Sequence, residues 1–85
     1  MSNGDEIMQA FLLLVTDARN DDCVLERVLG LPQVFEVHRL YGYYDILARV
    51  SVEDPPEELS EIQRELLNTG RVLLIETLIC AEGAS

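Results

Sequence analysis

The sequence has little positive charge. Its six basic residues are all arginine, and 16 acidic residues give the 85-residue chain a net charge of −10. A surface of this sign repels phosphate backbones, because nucleic-acid affinity depends largely on cations that displace counterions. We therefore expect no direct binding of nucleic acid by this chain.

Cysteine and histidine are also sparse. Cys23 and Cys80 are too few for a disulfide framework, and neither lies in a Cys-x-x-Cys or Cys/His cluster. We therefore expect two free thiols and neither a metal site nor a cofactor. The only histidine, His38, has no nucleophile or acid at a recognisable catalytic spacing, which argues against an enzyme.

Long apolar runs are missing, although hydrophobic residues make up 48% of the chain. No stretch approaches the length of a membrane span, and no signal peptide precedes the first apolar segment. We therefore expect an ordered cytoplasmic protein of one domain. A domain of this size buries only a modest core, so association with another chain is the expected source of further burial.

The first part of the chain predicts a strand and a helix. Residues 1–7 are mostly polar and carry no pattern, so we expect a disordered terminus. Residues 8–16 are almost continuously apolar, as in a central strand covered on both faces. The apolar residues of 21–29 then fall on one helical face after N-capping residues, and Gly30 and Pro32 end the helix.

The rest of the chain predicts a hairpin, a helix and a strand. Two β-patterned runs, 33–41 and 44–52, are joined by a short link in which Gly42 can supply a positive φ. Asp54 and Pro55, with Glu57 as a capping-box residue, predict the start of a helix that ends at 69–70. Residues 72–80 predict the last strand, and 81–85 form a tail.

The order βαββαβ predicts a ferredoxin-like α+β domain over residues 8–80, with a four-stranded antiparallel sheet and two helices on one face. Strict alternation along the strands separates two sets of side chains. The apolar set, expected under the helices, is Phe35, Val37, Ile46, Ala48, Val50, Leu73, Ile75 and Ile79. The mixed set, expected on the other face, is Val34, Glu36, His38, Leu40, Asp45, Leu47, Arg49, Leu74, Glu76 and Leu78. A half-apolar open face usually marks an interface, and Arg49 is expected to pair there with Glu36 or Glu76.

The segment 41–50, YGYYDILARV, resembles the ligand-binding domain of the Lrp/AsnC transcription regulators. Val34, Gly42 and the pair Tyr44–Asp45 fit that family's strand-opening valine, hairpin glycine and following Y-D pair. The residues at 69–72 and 76–77 resemble its last helix-to-strand turn and its threonine-bearing strand. The resemblance spans about residues 8–80, nearly the whole chain.

The resemblance implies a domain that dimerises through its sheet, with dimers that assemble into rings, and an amino acid or related effector bound near the hairpin between subunits. The chain has no room for a helix-turn-helix half, which suggests a stand-alone module that modulates full-length regulators by joining them through the same sheet surface. The ligand-binding residues implied by the resemblance are Gly42, Tyr43, Tyr44, Asp45 and Thr77.

These residues would act in different ways. The Asp45 carboxylate would accept bonds from an effector's ammonium group, or would instead close the hairpin or pair with Arg49. Gly42 would offer its backbone N–H to a carboxylate, and Tyr44 would form a pocket wall or an interface anchor. Tyr43 stands where the family often has a small or polar residue, so its ring would change what fits. Thr77 falls on the helix-facing set by alternation, unless a bulge shifts the register.

Two other classes of function stay as alternatives. A peptide- or protein-binding adaptor or chaperone would grip an extended segment with its sheet or sheet edge, as small βαββαβ proteins that bind the signal peptides of nitrate reductases do. Such a protein would be a monomer that ignores amino acids. A small dimeric-barrel enzyme would instead need His38 in a deep cleft with a strongly perturbed pKa.

Overall fold

The fold is a two-layer α+β arrangement, seen in a computed structural model that describes residues 8–17 and 21–79. The elements are β1 (Met8–Thr16), α1 (Asp21–Leu29), β2 (Val34–Arg39), β3 (Ile46–Val52), α2 (Pro55–Leu67) and β4 (Val72–Ile79). The strands form an antiparallel sheet in the order β2-β3-β1-β4. The ferredoxin-like βαββαβ prediction is therefore confirmed. The predicted disordered terminus at 1–7, the strand end at Cys80 and the tail at 81–85 lie outside the described residues.

β1 is the central strand, as its continuous apolar run indicates. It pairs with β3 from Met8↔Val52 to Leu14↔Ile46, and with β4 on its other side. Its even-numbered residues from Ala10 to Thr16 are buried, whereas the odd-numbered residues between them are half-buried. One face of β1 therefore belongs to the core, and the other contributes apolar surface to the face that the helices leave uncovered.

The core lies between the sheet and the two helices. α1 contributes Val24 and Val28, and α2 contributes Leu59, Ile62 and Leu66, each spaced so that it returns to the same helical face. The largest fully buried side chains are Leu12, Leu14, Ile46, Ile62, Leu66, Val24, Val28, Val50 and Val52. Apolar burial of this kind is the main favourable term in the free energy of folding.

The start of α2 differs in detail from the predicted cap. Asp54 occupies the N-cap position, but its side chain makes no capping hydrogen bond. The Glu58 carboxylate instead accepts a hydrogen bond from the backbone N–H of Glu53 at 3.3 Å. Pro55 and Pro56 have no N–H to offer, which removes two of the donors that a capping side chain would satisfy. The predicted start is right, whereas the predicted Asp54 side-chain cap is wrong.

Two register shifts correct the predicted assignment of faces. Between Val34 and Glu36 the pairing of β2 with β3 shifts, so that Val34 packs against the core and Phe35 is 49% exposed beside Arg49. A second shift in the β1–β4 pairing leaves Leu73 66% exposed. Each bulge adds one residue to a strand, and this moves the side chains around it relative to strict alternation.

The sheet face that the helices leave uncovered is called the open face below. It mixes apolar side chains with charged and polar ones, as predicted, and is formed by Gln9, Phe11, Leu13, Val15, Phe35, Glu36, His38, Leu47, Arg49, Leu74, Glu76 and Leu78. Leu74 and Leu78 are 42% and 49% exposed. Apolar surface in this position is available for contact with another molecule.

Two adjacent leucines of α2 provide a test of the core. Leu66 is fully buried, and Leu67 is 50% exposed. We expect Leu66→Ala to lower the free energy of unfolding by about 2–5 kcal/mol, because it removes buried methyl groups and leaves a cavity. The matched Leu67→Ala change should cost less than about 1 kcal/mol. Urea denaturation followed by circular dichroism measures both values, and equal losses would contradict the packing described here.

Candidate functional site

The hairpin between β2 and β3 is longer than the predicted two-residue link, and its bend runs through residues 40–45. The Leu40 N–H donates to the Asp45 carbonyl at 2.9 Å, which closes the turn. Gly42 has a φ of 139°, a conformation that residues with a Cβ rarely adopt, although a Cβ there would meet no atom within 4 Å. Glycine is therefore favoured at position 42 by the backbone conformation and not by crowding. The space next to its Cα is open.

Asp45 attaches this hairpin to the end of β1. Its Oδ2 accepts a hydrogen bond from the Thr16 N–H at 2.8 Å and from the Thr16 hydroxyl at 3.4 Å. Its own N–H donates to the Leu14 carbonyl at 2.7 Å. The carboxylate therefore bonds to β1 and not across the hairpin, which the backbone bond from Leu40 closes. Arg49 pairs elsewhere.

Tyr43 and Tyr44 form an aromatic pair beside the glycine. Their ring centroids are 5.0 Å apart and the ring planes meet at 88°, an edge-to-face arrangement that aromatic quadrupoles favour. The Tyr44 hydroxyl donates a hydrogen bond to the Glu76 carboxylate on β4. This hydrogen bond raises the pKa of Tyr44, because it stabilises the protonated phenol next to a negative charge.

Thr77 lies on the opposite side of the sheet from these groups. It pairs with Leu12 of the core, and its hydroxyl oxygen accepts a hydrogen bond from the Gln63 side-chain amide of α2 at 2.9 Å. The structure therefore brings Gly42, Tyr43, Tyr44 and Asp45 together at the hairpin. It places Thr77 under the helices, as strict alternation indicated.

A second cluster of polar side chains lies on the open face around Arg49. Its Nη1 donates to Glu36 Oε1 at 2.8 Å, which confirms one of the two pairings predicted for it, and its Nη2 donates to Gln9 at 3.0 Å. The guanidinium also lies over the rings of Phe11 and Phe35, 5.3 Å and 5.1 Å from their centroids. Arg49 is therefore held by a carboxylate, an amide and two aromatic faces at once.

Glu36 connects this cluster to the single histidine. Its second carboxylate oxygen lies 2.5 Å from His38 Nε2. The pKa of Glu36 is lowered, first by the hydrogen bond to His38 and then by that to Arg49, because both favour the ionised carboxylate. His38 is exposed on the surface of β2, and the structure places it in no deep cleft.

Sequence reasoning missed two partners. Glu76 was assigned to the open face as a possible partner of Arg49, but its observed partner is the Tyr44 hydroxyl. Phe35 was assigned to the core, but it stacks on Arg49. The contact between Tyr44 and Glu76 had only a weak signal in the sequence. Tyr44 precedes β3, and β1 alone separates β3 from β4 in the sheet.

The described part of the chain shows few other candidates for chemistry. Within residues 8–17 and 21–79, no three His, Cys, Asp or Glu side chains come together as metal ligands do. A shallow groove of about 380 Å³ lies on the helix side, between the end of α1 and α2, and is lined by Arg27, Leu31, Pro32, Ile62 and Glu65 among others. Neither described helix is both long and apolar enough to cross a membrane.

Comparison with known proteins gives a family for this fold and hairpin. The family model described as the Lrp/AsnC ligand binding domain matches residues 9–83. The chain belongs to this family. This match confirms the Lrp/AsnC assignment made from the hairpin motif. As a member of this family, the chain is an effector-binding regulatory domain. A search of the curated proteins finds no significant match.

Solved structures similar to this Lrp/AsnC domain differ in length. TTHA0845 from Thermus thermophilus is 28% identical with a TM-score of 0.81, and the match covers 92% of this chain and 98% of that one. AsnC of E. coli is 18% identical with a TM-score of 0.79, over 100% of this chain and 59% of that one. The transcriptional regulator NMB0573 of Neisseria meningitidis, solved as an L-Met complex, is 19% identical with a TM-score of 0.77, over 92% and 52% of the two chains. At these identities the last two likenesses show the shared fold.

The bond between Asp45 and Thr16 can be tested by removing its acceptor. Thr16 is buried, so Asp45→Ala would leave a buried N–H without a partner. We expect a loss of about 1–3 kcal/mol in the free energy of unfolding, measured by denaturant titration. Asp45→Asn keeps an acceptor oxygen and should recover most of the loss. If both variants were as stable as the parent, Asp45 would not be what attaches the hairpin to β1.

Proposed function

We propose that this Lrp/AsnC domain is an oligomeric regulatory module that binds an amino acid or a related small molecule at the hairpin and pairs with a second copy through the open face. The open face is the observation that carries the proposal. Phe35, Leu74 and Leu78 expose between 42% and 49% of their surface there, next to half-buried apolar residues of β1. Covering such a patch with an equivalent patch removes apolar area from water on both partners.

The charged groups of the open face are compatible with being covered. Burying an unpaired charge costs several kcal/mol, whereas a paired and hydrogen-bonded charge can be buried at lower cost. Arg49 already has Glu36 and Gln9 as partners, and Glu76 accepts the Tyr44 hydroxyl. Within the described chain, the main cation of the face is thus neutralised before any partner arrives.

The hairpin supports the proposed place of effector binding. It combines the open turn at Gly42, the ring pair Tyr43–Tyr44 and the carboxylates of Asp45 and Glu76 within one end of the sheet. A second copy on the open face would partly enclose this end and shield a ligand from water. The complex of NMB0573 with L-Met, which shares the fold, is consistent with an amino acid as effector.

The same pairing surface suggests how the module acts on transcription. AsnC of E. coli contains this fold within a longer chain, because the match covers 59% of it. A domain with an equivalent open face in such a regulator is a suitable partner for this one. Effector binding at the hairpin would then change how strongly the two associate, and with it the state of the regulator.

Effector binding is tested by thermal unfolding against each of the twenty amino acids. A ligand at a hundred times its dissociation constant adds about 2.7 kcal/mol, which for a domain of this size raises the midpoint by about 10–20 °C. We expect one or a few amino acids to do this. Tyr44→Phe should reduce the shift, and Tyr41→Phe, a fully exposed ring on the same turn, should leave it unchanged. No shift with any amino acid would contradict an amino acid effector.

Pairing through the open face is tested by placing a cation on it. Leu78→Arg adds a charge opposite Phe11, and Leu29→Arg adds the same charge to an exposed position of α1. We expect the first change to raise the dissociation constant of the dimer by at least about tenfold, because it leaves an unpaired charge in the interface. Sedimentation equilibrium measures the dissociation constant of both variants, and the Leu29→Arg control should keep the value of the parent protein. A monomeric parent protein would rule out the pairing and favour the peptide-binding adaptor.

A further inference from the structure

The hairpin holds an arrangement of aromatic and acidic groups that its role as a turn does not require. Tyr44 lies between two neighbours, with its ring against that of Tyr43 and its hydroxyl on the Glu76 carboxylate. The two ring planes are nearly perpendicular, at 88°, and Tyr43 is 75% exposed. Two rings at a right angle, with a carboxylate at the far end of one of them, form a corner that is open to solvent.

The charged side chains of the turn and of Glu76 are all acidic. The turn residues 40–45 include no basic side chain, and the chain carries a net charge of −10. Asp45 already accepts two hydrogen bonds from Thr16, whereas Glu76 is exposed and its one described hydrogen bond comes from a phenol. The carboxylate best placed to receive a cation from solvent is therefore Glu76.

We propose that Tyr43, Tyr44 and Glu76 form a binding site for the ammonium group of a small organic amine, and that the carboxylates of Glu76 and Asp45 give this site a preference for cationic over zwitterionic ligands. This inference rests on the proposed function only for the place at which the effector binds. It names the ligand chemistry of that place and assigns the ammonium to Glu76, where the family resemblance pointed to Asp45.

The physical basis is the attraction of a cation for aromatic faces and for a carboxylate. An ammonium group within about 6 Å of a tyrosine ring centre is attracted by the ring quadrupole, and a charge-assisted hydrogen bond to a carboxylate is stronger than a neutral one. The Tyr44 hydroxyl holds the Glu76 carboxylate in place, and the same hydrogen bond raises the pKa of Tyr44. A free carboxylate on the ligand would gain no cation from the turn and would be repelled by Glu76 and Asp45.

Three ligands with the same side chain and different charge test the site. L-methioninamide carries an ammonium and no carboxylate, L-methionine carries both, and N-acetyl-L-methionine carries only the carboxylate. Each is titrated into ¹⁵N-labelled protein, and amide shifts at Tyr43, Tyr44 and Glu76 report binding. We expect L-methioninamide to bind about tenfold more tightly than L-methionine, and the acetylated compound to cause no shifts at these residues.

Matched variants assign the effect to the corner. Glu76→Gln should weaken L-methioninamide binding about tenfold, while Glu57→Gln, which removes the same charge from α2, should leave it unchanged. Tyr43→Ser should weaken it about threefold, the size of an exposed cation–π contact, and Tyr41→Ser should not. The variants' far-ultraviolet circular dichroism checks that they fold.

Equal or tighter binding of L-methionine, or full binding by the folded Glu76→Gln variant, would overturn this inference while leaving an amino acid effector intact. If none of the three compounds moved these amides at millimolar concentration, the inference would also be wrong. The wider proposal of an amino acid effector would then depend on the thermal panel alone.

Discussion

The arrangement of the site depends on the hydrogen bonds between the end of β1 and Asp45. Thr16 donates its backbone N–H to the carboxylate, and Asp45 donates its own N–H to the Leu14 carbonyl. These bonds hold a turn of otherwise exposed residues against the central strand. Because β1 also pairs with β4, the turn acquires a defined position relative to Glu76, and Tyr44 can reach across to it. The buried N–H of Thr16 thus connects the core to Asp45, and Asp45 fixes the position of the neighbouring pair Tyr43–Tyr44.

The sheet divides the molecule into two surfaces with different roles. On the helix face, apolar side chains are buried and Thr77 accepts a hydrogen bond from Gln63, so that surface stabilises the fold. On the open face, Arg49 is compensated by Glu36, Gln9 and two aromatic rings, and apolar side chains lie around it half-exposed. A face whose main cation has its partners within the same chain can associate with another surface without desolvating a lone charge. The internal pairing of Arg49 therefore supports the assembly that we propose for this Lrp/AsnC domain.

Several features could be predicted because they depend on neighbours along the chain. The helix at 21–29 and the strand at 8–16 were found at the predicted residues, since apolar periodicity and breakers such as Gly30 and Pro32 act locally. The hairpin glycine and its positive φ were predicted for the same reason. The two bulges were not predicted, because an additional residue in a strand leaves no mark in the local pattern of apolar and polar residues. Phe35 and Leu73 were therefore assigned to the wrong face.

The sequence by itself determined the element order, the fold and the family, because hydrophobic pattern, turn residues and the Y-D pair after Gly42 are properties of adjacent residues. Only the tertiary structure decided which side chains meet. Asp45 and Thr16 are 29 residues apart, and Tyr44 and Glu76 are 32 apart. No local pattern records such distances, since they are closed by strand pairing and by the register that the bulges set. The partners of the site residues, and so the chemistry that the site can perform, followed from the folded sheet.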